Sequence, residues 1–297
     1  MLKHLNASPE NPSRVVVMGA TGFVGGALVA ALIADGIDIL PLGRSDVDLM
    51  SPDAAEKLAK VLQPNDAFVA VSAKAPAKNA EMMIENIIMA KAIADALKVS
   101  PVSHVVNISS DAVYVDESTP LNEASCTAPD SYHGMMHLAR EVMLKNEIKA
   151  PLAILRPTLI YGLDDPHNGY GPNKFRRLAQ SQEDIVLFGE GEERRDHVHI
   201  DDVAAIICLV LKWKSSGTLN VATGDVASFR EIAEMVVSHS VKPVAVTSSP
   251  RAGPMPHNGY RPFDITNCQR AFPDFRYKRL EVELPKLQLI DGYLRLV

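Results

Sequence analysis

The stretch Arg14-Val15-Val16-Val17-Met18-Gly19-Ala20-Thr21-Gly22-Phe23-Val24-Gly25 decides the fold. Four consecutive apolar residues before a glycine read as a strand buried on both faces. The glycines at 19, 22 and 25 let the chain turn tightly out of that strand and open a helix, whose free N–H groups would face a pyrophosphate. A three-glycine string alone is weak evidence; set between a strand and a helix near the N-terminus it is specific.

Outward from this segment, short apolar runs alternate with stretches of helical period, the pattern of a parallel sheet covered by helices on both faces. Strands are predicted over 14–18, 37–42, 67–72, 104–108 and 152–155, and helices over 22–35, 52–62, 79–97 and 132–146. After Arg156 the texture changes, and the Gly-, Pro-, Asn- and Asp-rich residues 161–172 read as a long functional loop. A helix over 201–213 and a strand over 219–222 rejoin the sheet, and Ser228-Phe229-Arg230-Glu231 is a capping box opening a helix to Ser240. The tail from Val241 is broken by Pro243, Pro250, Pro254, Pro256 and Pro262. The expectation is an α/β fold, a doubly wound parallel sheet of Rossmann type with a smaller C-terminal substrate-binding lobe. The first would take residues 13–160, its sheet completed by about 201–223, and the second 161–200 and 224–297.

A chain of 297 residues, 47% hydrophobic and 22% charged, can bury a core and is not disordered. Lys+Arg 30 against Asp+Glu 36 leaves a net charge of -6, so no global field draws nucleic acid or an anionic membrane. An anionic ligand must then be held by local basic residues. Cys126, Cys208 and Cys268, an odd number at wide spacing, read as reduced thiols of a cytoplasmic protein. Residues 1–13 lack the pattern of a secretory signal and read as a loose arm, and no apolar run approaches the ~20 residues that span a bilayer.

At the end of the second strand, where an NAD-preferring site carries an acid for the ribose 2′-hydroxyl, the chain reads Leu42-Gly43-Arg44-Ser45. Arg44 and Ser45 suit a 2′-phosphate, because a guanidinium makes charge-assisted bonds to phosphate oxygens. NADP is therefore expected ahead of NAD, with Asp48 placed to receive the adenine amino group.

Longer strings carry a resemblance. Ile108-Ser109-Ser110-Asp111-Ala112-Val113-Tyr114, Arg156-Pro157-Thr158-Leu159-Ile160-Tyr161-Gly162 and the run from Phe188 through Arg195-Asp196 to Asp201-Asp202-Val203 resemble segments of the extended short-chain dehydrogenase/reductases. The likeness is to the NAD(P)-dependent epimerase/dehydratase group that modifies nucleotide sugars, and it spans nearly the whole chain. It implies an enzyme that moves a hydride between a sugar carbon and a nicotinamide, as a keto reduction or within an epimerisation. It implies that Gly19, Thr21, Gly22, Phe23, Val24 and Gly25, with Ser72, Ala73 and Lys74, hold the cofactor, and that Ser110 orients the substrate oxygen. Asn86 falls where the family has a helical Asn. Arg195 falls on an arginine that contacts the diphosphate of a nucleotide sugar, and Arg251 and Arg261 lie in the tail that closes over the nucleotide. Leu159 stands where many sugar epimerases have a phosphate-binding Asn. Family members are often dimers through helices corresponding to residues 79–97 and 132–146, so a homodimer is expected.

In this family a Tyr-x-x-x-Lys pair transfers the proton: residues four apart share a helix face, and the ammonium stabilises a phenolate. The corresponding stretch here, Asp130-Ser131-Tyr132-His133-Gly134-Met135-Met136-His137-Leu138-Ala139-Arg140-Glu141, has no lysine at that distance. Two registers are possible. With Tyr132 as the family Tyr, the Lys position is Met136, which cannot support a phenolate. With Gly134 and Leu138 to Glu141 aligned, His133 replaces Tyr and His137 replaces Lys, and this register fits better. Imidazoles titrating near ~6.5 can shuttle a proton. Catalytic candidates are thus Ser110, Tyr132, His133 and His137, with Lys74 a candidate for the missing cation. The pairs His133/His137 and His197/His199 have no further ligand tied to them by spacing, so no metal is expected. Two rival readings are an NADP-binding sensor or assembly protein that has lost catalysis, and a reductase of a non-nucleotide carbonyl compound.

Overall fold

The computed structural model describes residues 2–117, 119–240 and 242–294; Met1 and Val241 lie outside them. β1 (Val15–Met18) leads through the glycine turn into α1 (Phe23–Ala34), followed by β2 (Ile39–Leu42), α2 (Ala54–Val61), β3 (Ala67–Ala70), α3 (Ala80–Val99) and β4 (His104–Ile108). A 3-10 turn at Asp111–Val113 precedes α4 (Tyr132–Glu147) and β5 (Leu152–Pro157). Then come β6 (Leu159–Tyr161), α5 (Pro172–Ser181), β7 (Ile185–Phe188), β8 (Arg194–His199), α6 (Ile200–Lys212) and β9 (Gly217–Val221). The chain ends with β10 (Val226–Ser228), α7 (Phe229–Ser238), β11 (Val246–Ser249), β12 (Tyr260–Arg261), α8 (Thr266–Ala271) and α9 (Leu280–Leu294).

The main sheet has the order β2-β1-β3-β4-β5-β9, with every pair parallel. Its residues alternate between two cores. Val15 and Val17 meet Leu28 and Leu32 of α1 and Val203, Ile206 and Val210 of α6. Val16 and Met18 meet Leu58 of α2, Ile93 and Leu97 of α3 and Leu144 of α4. Burial on both faces is why these strands are apolar throughout. The chain leaves β1 toward β2 on one side and returns to β3 on the other, so a crevice opens at the carboxyl ends of β1 and β3, where ligands of such sheets bind.

The smaller lobe is built on β10-β8-β12, with β6 pairing β8, and on the parallel pair β7 and β11. Its core joins Phe175 and Ala179 of α5, Ile185 and Leu187 of β7, Phe229, Ile232 and Val236 of α7, and Leu284 of α9. The architecture is a Rossmann-type parallel α/β sheet with a smaller C-terminal lobe, and the capping box at Ser228 and Glu231 closes both of its hydrogen bonds.

One expectation needs correcting. The N-terminal segment is not a loose arm: Lys3 bridges to Ser216, and the His4 ring stacks on Trp213 with centroids 4.7 Å apart. His4 Nδ1 also meets Ser215 Oγ at 2.8 Å, and Nε2 meets the Ala271 carbonyl at 3.0 Å. An aromatic shelf and two polar partners fix the segment, which charge and composition cannot show.

His104, at the start of β4, is buried with Nε2 donating to the Ser215 carbonyl at 2.7 Å, and burial drives its pKa down to about 4. The unfolded chain therefore binds a proton there between pH 6.5 and about 4 that the folded chain does not, so stability falls as pH falls through that window. Relative to His104→Gln, the wild type should lose about 3 kcal/mol of stability between pH 7 and pH 4, read by urea denaturation at both pH values. A gap that does not change with pH would contradict this.

Candidate active site

A cavity of about 960 Å³ lies at the carboxyl ends of β1, β3 and β4 and extends beneath the smaller lobe. One end is built from backbone. Gly19 has φ +103°, and a Cβ there would stand 2.7 Å from the Ser72 nitrogen, so the turn after β1 can pack onto the segment after β3 only as glycine. No side chain caps α1, and its first turn carries no acid. Its N–H donors are thus left for an anion, with Gly19, Thr21, Gly22, Phe23 and Val24 in the cavity wall. Gly25 lies behind them, packed against the Gly19 carbonyl.

Ser72, Ala73 and Lys74 form the opposite wall. Asn86 of α3 holds this segment: its Oδ1 accepts from the Lys74 N–H at 2.9 Å and its Nδ2 donates to the Lys74 carbonyl at 3.0 Å. The Lys74 ammonium is paired with Glu85 at 2.6 Å. Arg44 and Asp48 also line the cavity, paired to each other at 3.3 Å, whereas Ser45 lies outside the wall. Asp46, the nearest acid after β2, accepts from the Gly43 N–H at 2.8 Å and is not part of the wall. A free helix N-terminus and a basic residue after β2, itself paired with Asp48, fit a dinucleotide.

The chemistry-bearing end gathers Ser110, His133 and His137. Ser110 ends the extended segment after β4; its Oγ accepts from the Ala112 N–H at 3.1 Å and reaches Asp111 Oδ1 at 3.3 Å. α4 starts directly against this turn, because a Cβ at Gly134 would collide with the Ala112 carbonyl. His133 thus shares the cavity wall with Ser110 and Asp111, and Asp111 acts on it electrostatically. The rings of His133 and His137 stand edge to face with centroids 4.7 Å apart. Burial lowers the His133 pKa, with Asp111 opposing and His167 and Arg140 adding to it. For His137, burial, then His133 and Arg140, push it well below its ordinary value. Tyr132 is 45% exposed and is not part of the wall.

Toward the smaller lobe, Arg195 and Arg261 enter the cavity and converge on Asp111 Oδ2, at 3.7 and 3.3 Å. Arg195 is also paired with Glu193, and Arg261 with Asp116, which in turn meets His257 Nδ1 at 2.7 Å. Arg251 lies elsewhere: it donates to the Phe188 carbonyl at 3.0 Å and faces Glu192. Asp111, Asp116, His167 and His257 are wall residues that sequence reading did not single out. Asp111 was within reach, since it follows Ser110 in a segment already picked out; His257 sits among prolines with no pattern to mark it.

These parts are held by a buried ion pair. Arg156 of β5 donates to Glu141 of α4 through Nε at 2.8 Å and Nη2 at 2.6 Å, and Ser109 Oγ donates to the same carboxylate at 2.6 Å. Arg156 Nη1 also donates to Tyr114 Oη at 2.8 Å, and Tyr114 Oη in turn donates to Asn220 Oδ1 at 2.7 Å.

The chain belongs to the NAD dependent epimerase/dehydratase family, whose sequence profile matches residues 15–222. It is 28% identical over 257 residues to a UDP-glucose 4-epimerase of Mycolicibacterium smegmatis, covering 74% of this chain and 80% of that protein. It is 24% identical over 292 residues to the dTDP-6-deoxy-L-talose 4-dehydrogenase (NAD(P)(+)) of Kitasatospora kifunensis, covering 88% and 90%. Among solved structures, the UDP-glucose 4-epimerase of Thermotoga maritima with UDP-glucose superposes with a TM-score of 0.81 at 19% identity, covering 96% of this chain and 100% of that one. The two folds agree over almost the full chain.

Removing one partner of a buried pair leaves the other charge uncompensated. Arg156→Met should therefore cost about 3–5 kcal/mol in a denaturant titration, and Arg156→Met with Glu141→Leu should recover most of that loss. A double variant no better than the single one would show that the carboxylate's remaining partners, Ser109 and Lys145, suffice for it.

Proposed function

We propose that the protein is an NADP-dependent oxidoreductase or epimerase that moves a hydride at a carbon of a nucleotide-linked sugar. The observation that carries this reading is the convergence on one cavity of the open N-terminus of α1, Ser110, the His133–His137 pair and two arginines. The α1 N-terminus and residues Ser72, Ala73 and Lys74 would hold the cofactor, with Asp48 toward the adenine and Arg44 toward the 2′-phosphate. When bound, the nicotinamide supplies hydride exchange.

The remaining work falls to this chain's own residues. The Ser110 hydroxyl orients the substrate oxygen by a hydrogen bond. His133, kept neutral by burial, takes the proton from a substrate hydroxyl on one of its ring nitrogens and returns it in the reverse direction. His137 lies against it on the same helix face. Tyr132, outside the cavity wall, leaves the role to His133. Arg195 and Arg261 meet the diphosphate, and the relatives named above, acting on UDP- and dTDP-linked sugars, support that substrate class.

We further propose a homodimer in which α3 and α4 meet their copies, since Ile84 and Ile88 of α3 and Met135 and Val142 of α4 are all exposed large apolar side chains. Its three cysteines are free thiols, in keeping with a cytoplasmic enzyme, and no helix among the described residues is long and apolar enough to cross a membrane.

His133→Gln should lower kcat by about 10²–10⁴ with KM little changed, while Tyr132→Phe stays within about twofold of wild type. Arg44→Ala should weaken NADPH about tenfold or more in fluorescence titration and leave NADH unaffected. NADPH binding without turnover on any nucleotide sugar would favour a sensor or assembly protein. If UDP, GDP, CDP and dTDP all fail to raise thermal stability, the substrate is a non-nucleotide carbonyl compound.

A further inference from the structure

α4 carries His133, His137 and Arg140 at spacings of four and three, which places them on one face of the helix. The two imidazoles form part of the cavity wall; Arg140 does not. Arg140 is 1% exposed, and its Nε and Nη1 find no hydrogen-bond partner. Among the described residues no carboxylate pairs with it. Its neighbour in sequence, Glu141, is taken by Arg156, Ser109 and Lys145. Burial pulls the Arg140 pKa down to about 10, which still leaves it a cation at neutral pH. An uncompensated interior charge is costly, so the fold sustains one here, one helical turn from His137 and two from His133, against its own stability.

The other charges around the pair are accounted for. Asp111, from the turn after β4, favours the imidazolium of His133, and His167, from the loop before α5, opposes it. α3, packed along α4, brings Glu85, paired with Lys74, and Lys98, paired with Glu147. Arg140 is the unpaired cation whose field reaches both rings.

We infer that Arg140 is a positioning residue acting through His137: its fixed positive charge adds to burial in keeping His137, and more weakly His133, in the neutral form, so that an unprotonated imidazole faces the cavity. This rests on the proton-transfer reading of the cavity given above. A cation beside an imidazole disfavours the imidazolium, so its removal makes protonation easier. The activity would then lose its base at a higher pH, with the high-pH plateau intact.

The test is an NMR titration of the His133 and His137 ring protons in the protein without cofactor, for wild type, Arg140→Met, Arg140→Gln and Arg140→Lys, beside pH profiles of kcat/KM. In Arg140→Met and Arg140→Gln both imidazoles should titrate about one pH unit higher, His137 more than His133. The acid limb of kcat/KM should move by the same amount, and Arg140→Lys should restore both. Arg140→Met should also be at least as stable as wild type, because it removes an unpaired buried charge. Titrations that do not move, or a Met variant that is strongly destabilised or fails to fold, would mark a purely structural arginine and overturn the proposal. A wild type without turnover would instead remove the proton-transfer reading, and the ring titrations would still decide whether Arg140 sets the charge of the pair.

Discussion

The ion pair between Glu141 and Arg156 is the constraint on which the site depends. Burial alone would raise the Glu141 pKa; the two hydrogen bonds from Arg156 and the one from Ser109 reverse this and hold it below its ordinary value. The pair adds stability that is present at neutral pH and lost as pH falls through the folded pKa of Glu141. Its greater effect is positional. It fastens α4 to β5, while Ser109 fastens β4 to the same carboxylate and Tyr114 extends the network to Asn220 of β9. Ser110 directly follows Ser109 and His133 stands on α4 with Glu141, so the pair ties together the segments that carry them. Exposed pairs such as Lys60 with Glu56 have no comparable hold, because water competes for both partners.

The two ends of the cavity use different physics. At the glycine turn the binding groups are backbone donors and a helix terminus, which leave the fold no charge to neutralise. At the other end Arg195 and Arg261 are nearly buried and are already compensated by Asp111, Asp116 and Glu193. An anion arriving there competes with Asp111 for both guanidinium groups. Because Asp111 also acts on His133, a change in what pairs with Asp111 at the arginine end bears electrostatically on the histidine end. The net charge of the chain, -6, has no bearing on either event.

The parallel sheet was legible in the sequence because a strand buried on both faces must be apolar throughout, as Val15–Met18 and Ala67–Ala70 are. A smaller lobe could be expected after Arg156, but its strands could not be read, because the central one is Arg194–His199, which buries Asp196, His197 and His199 beside Val198. Asp196 can be buried since Thr158, Thr223 and Gly224 supply its hydrogen bonds, and those partners come from segments far away in sequence. α5 escaped notice for a related reason: it opens with Pro172 and carries Asn173, Lys174, Arg176 and Arg177, leaving few apolar positions to set a period. At the site, the glycine turn and Ser110 were readable from local pattern. Tyr132 and His133 are adjacent on a helix and point about 100° apart, so only the packing of Gly134 on Ala112 decides which faces the cavity. Likewise Arg251 and Arg261 are both tail arginines, and only the path of the folded chain separates the one in the wall from the one against Phe188.

A tyrosine and lysine pair solves a different problem from the one posed here. A phenol is too weak an acid to serve as a base near neutrality, so it needs a permanent cation beside it to bring its proton affinity down. An imidazole begins close to neutrality, and what it needs is protection from becoming charged once a carboxylate such as Asp111 lies nearby. Burial of His137 and most of His133 supplies that protection by making the imidazolium costly to solvate. A cation in direct contact with the substrate is then no longer required, which is consistent with Lys74 being committed to Glu85 and with Arg140 lying behind the wall. The loss of the lysine therefore does not by itself argue for loss of chemistry. It moves the burden from a contact in the cavity to the dielectric and charge of the helix face beneath it.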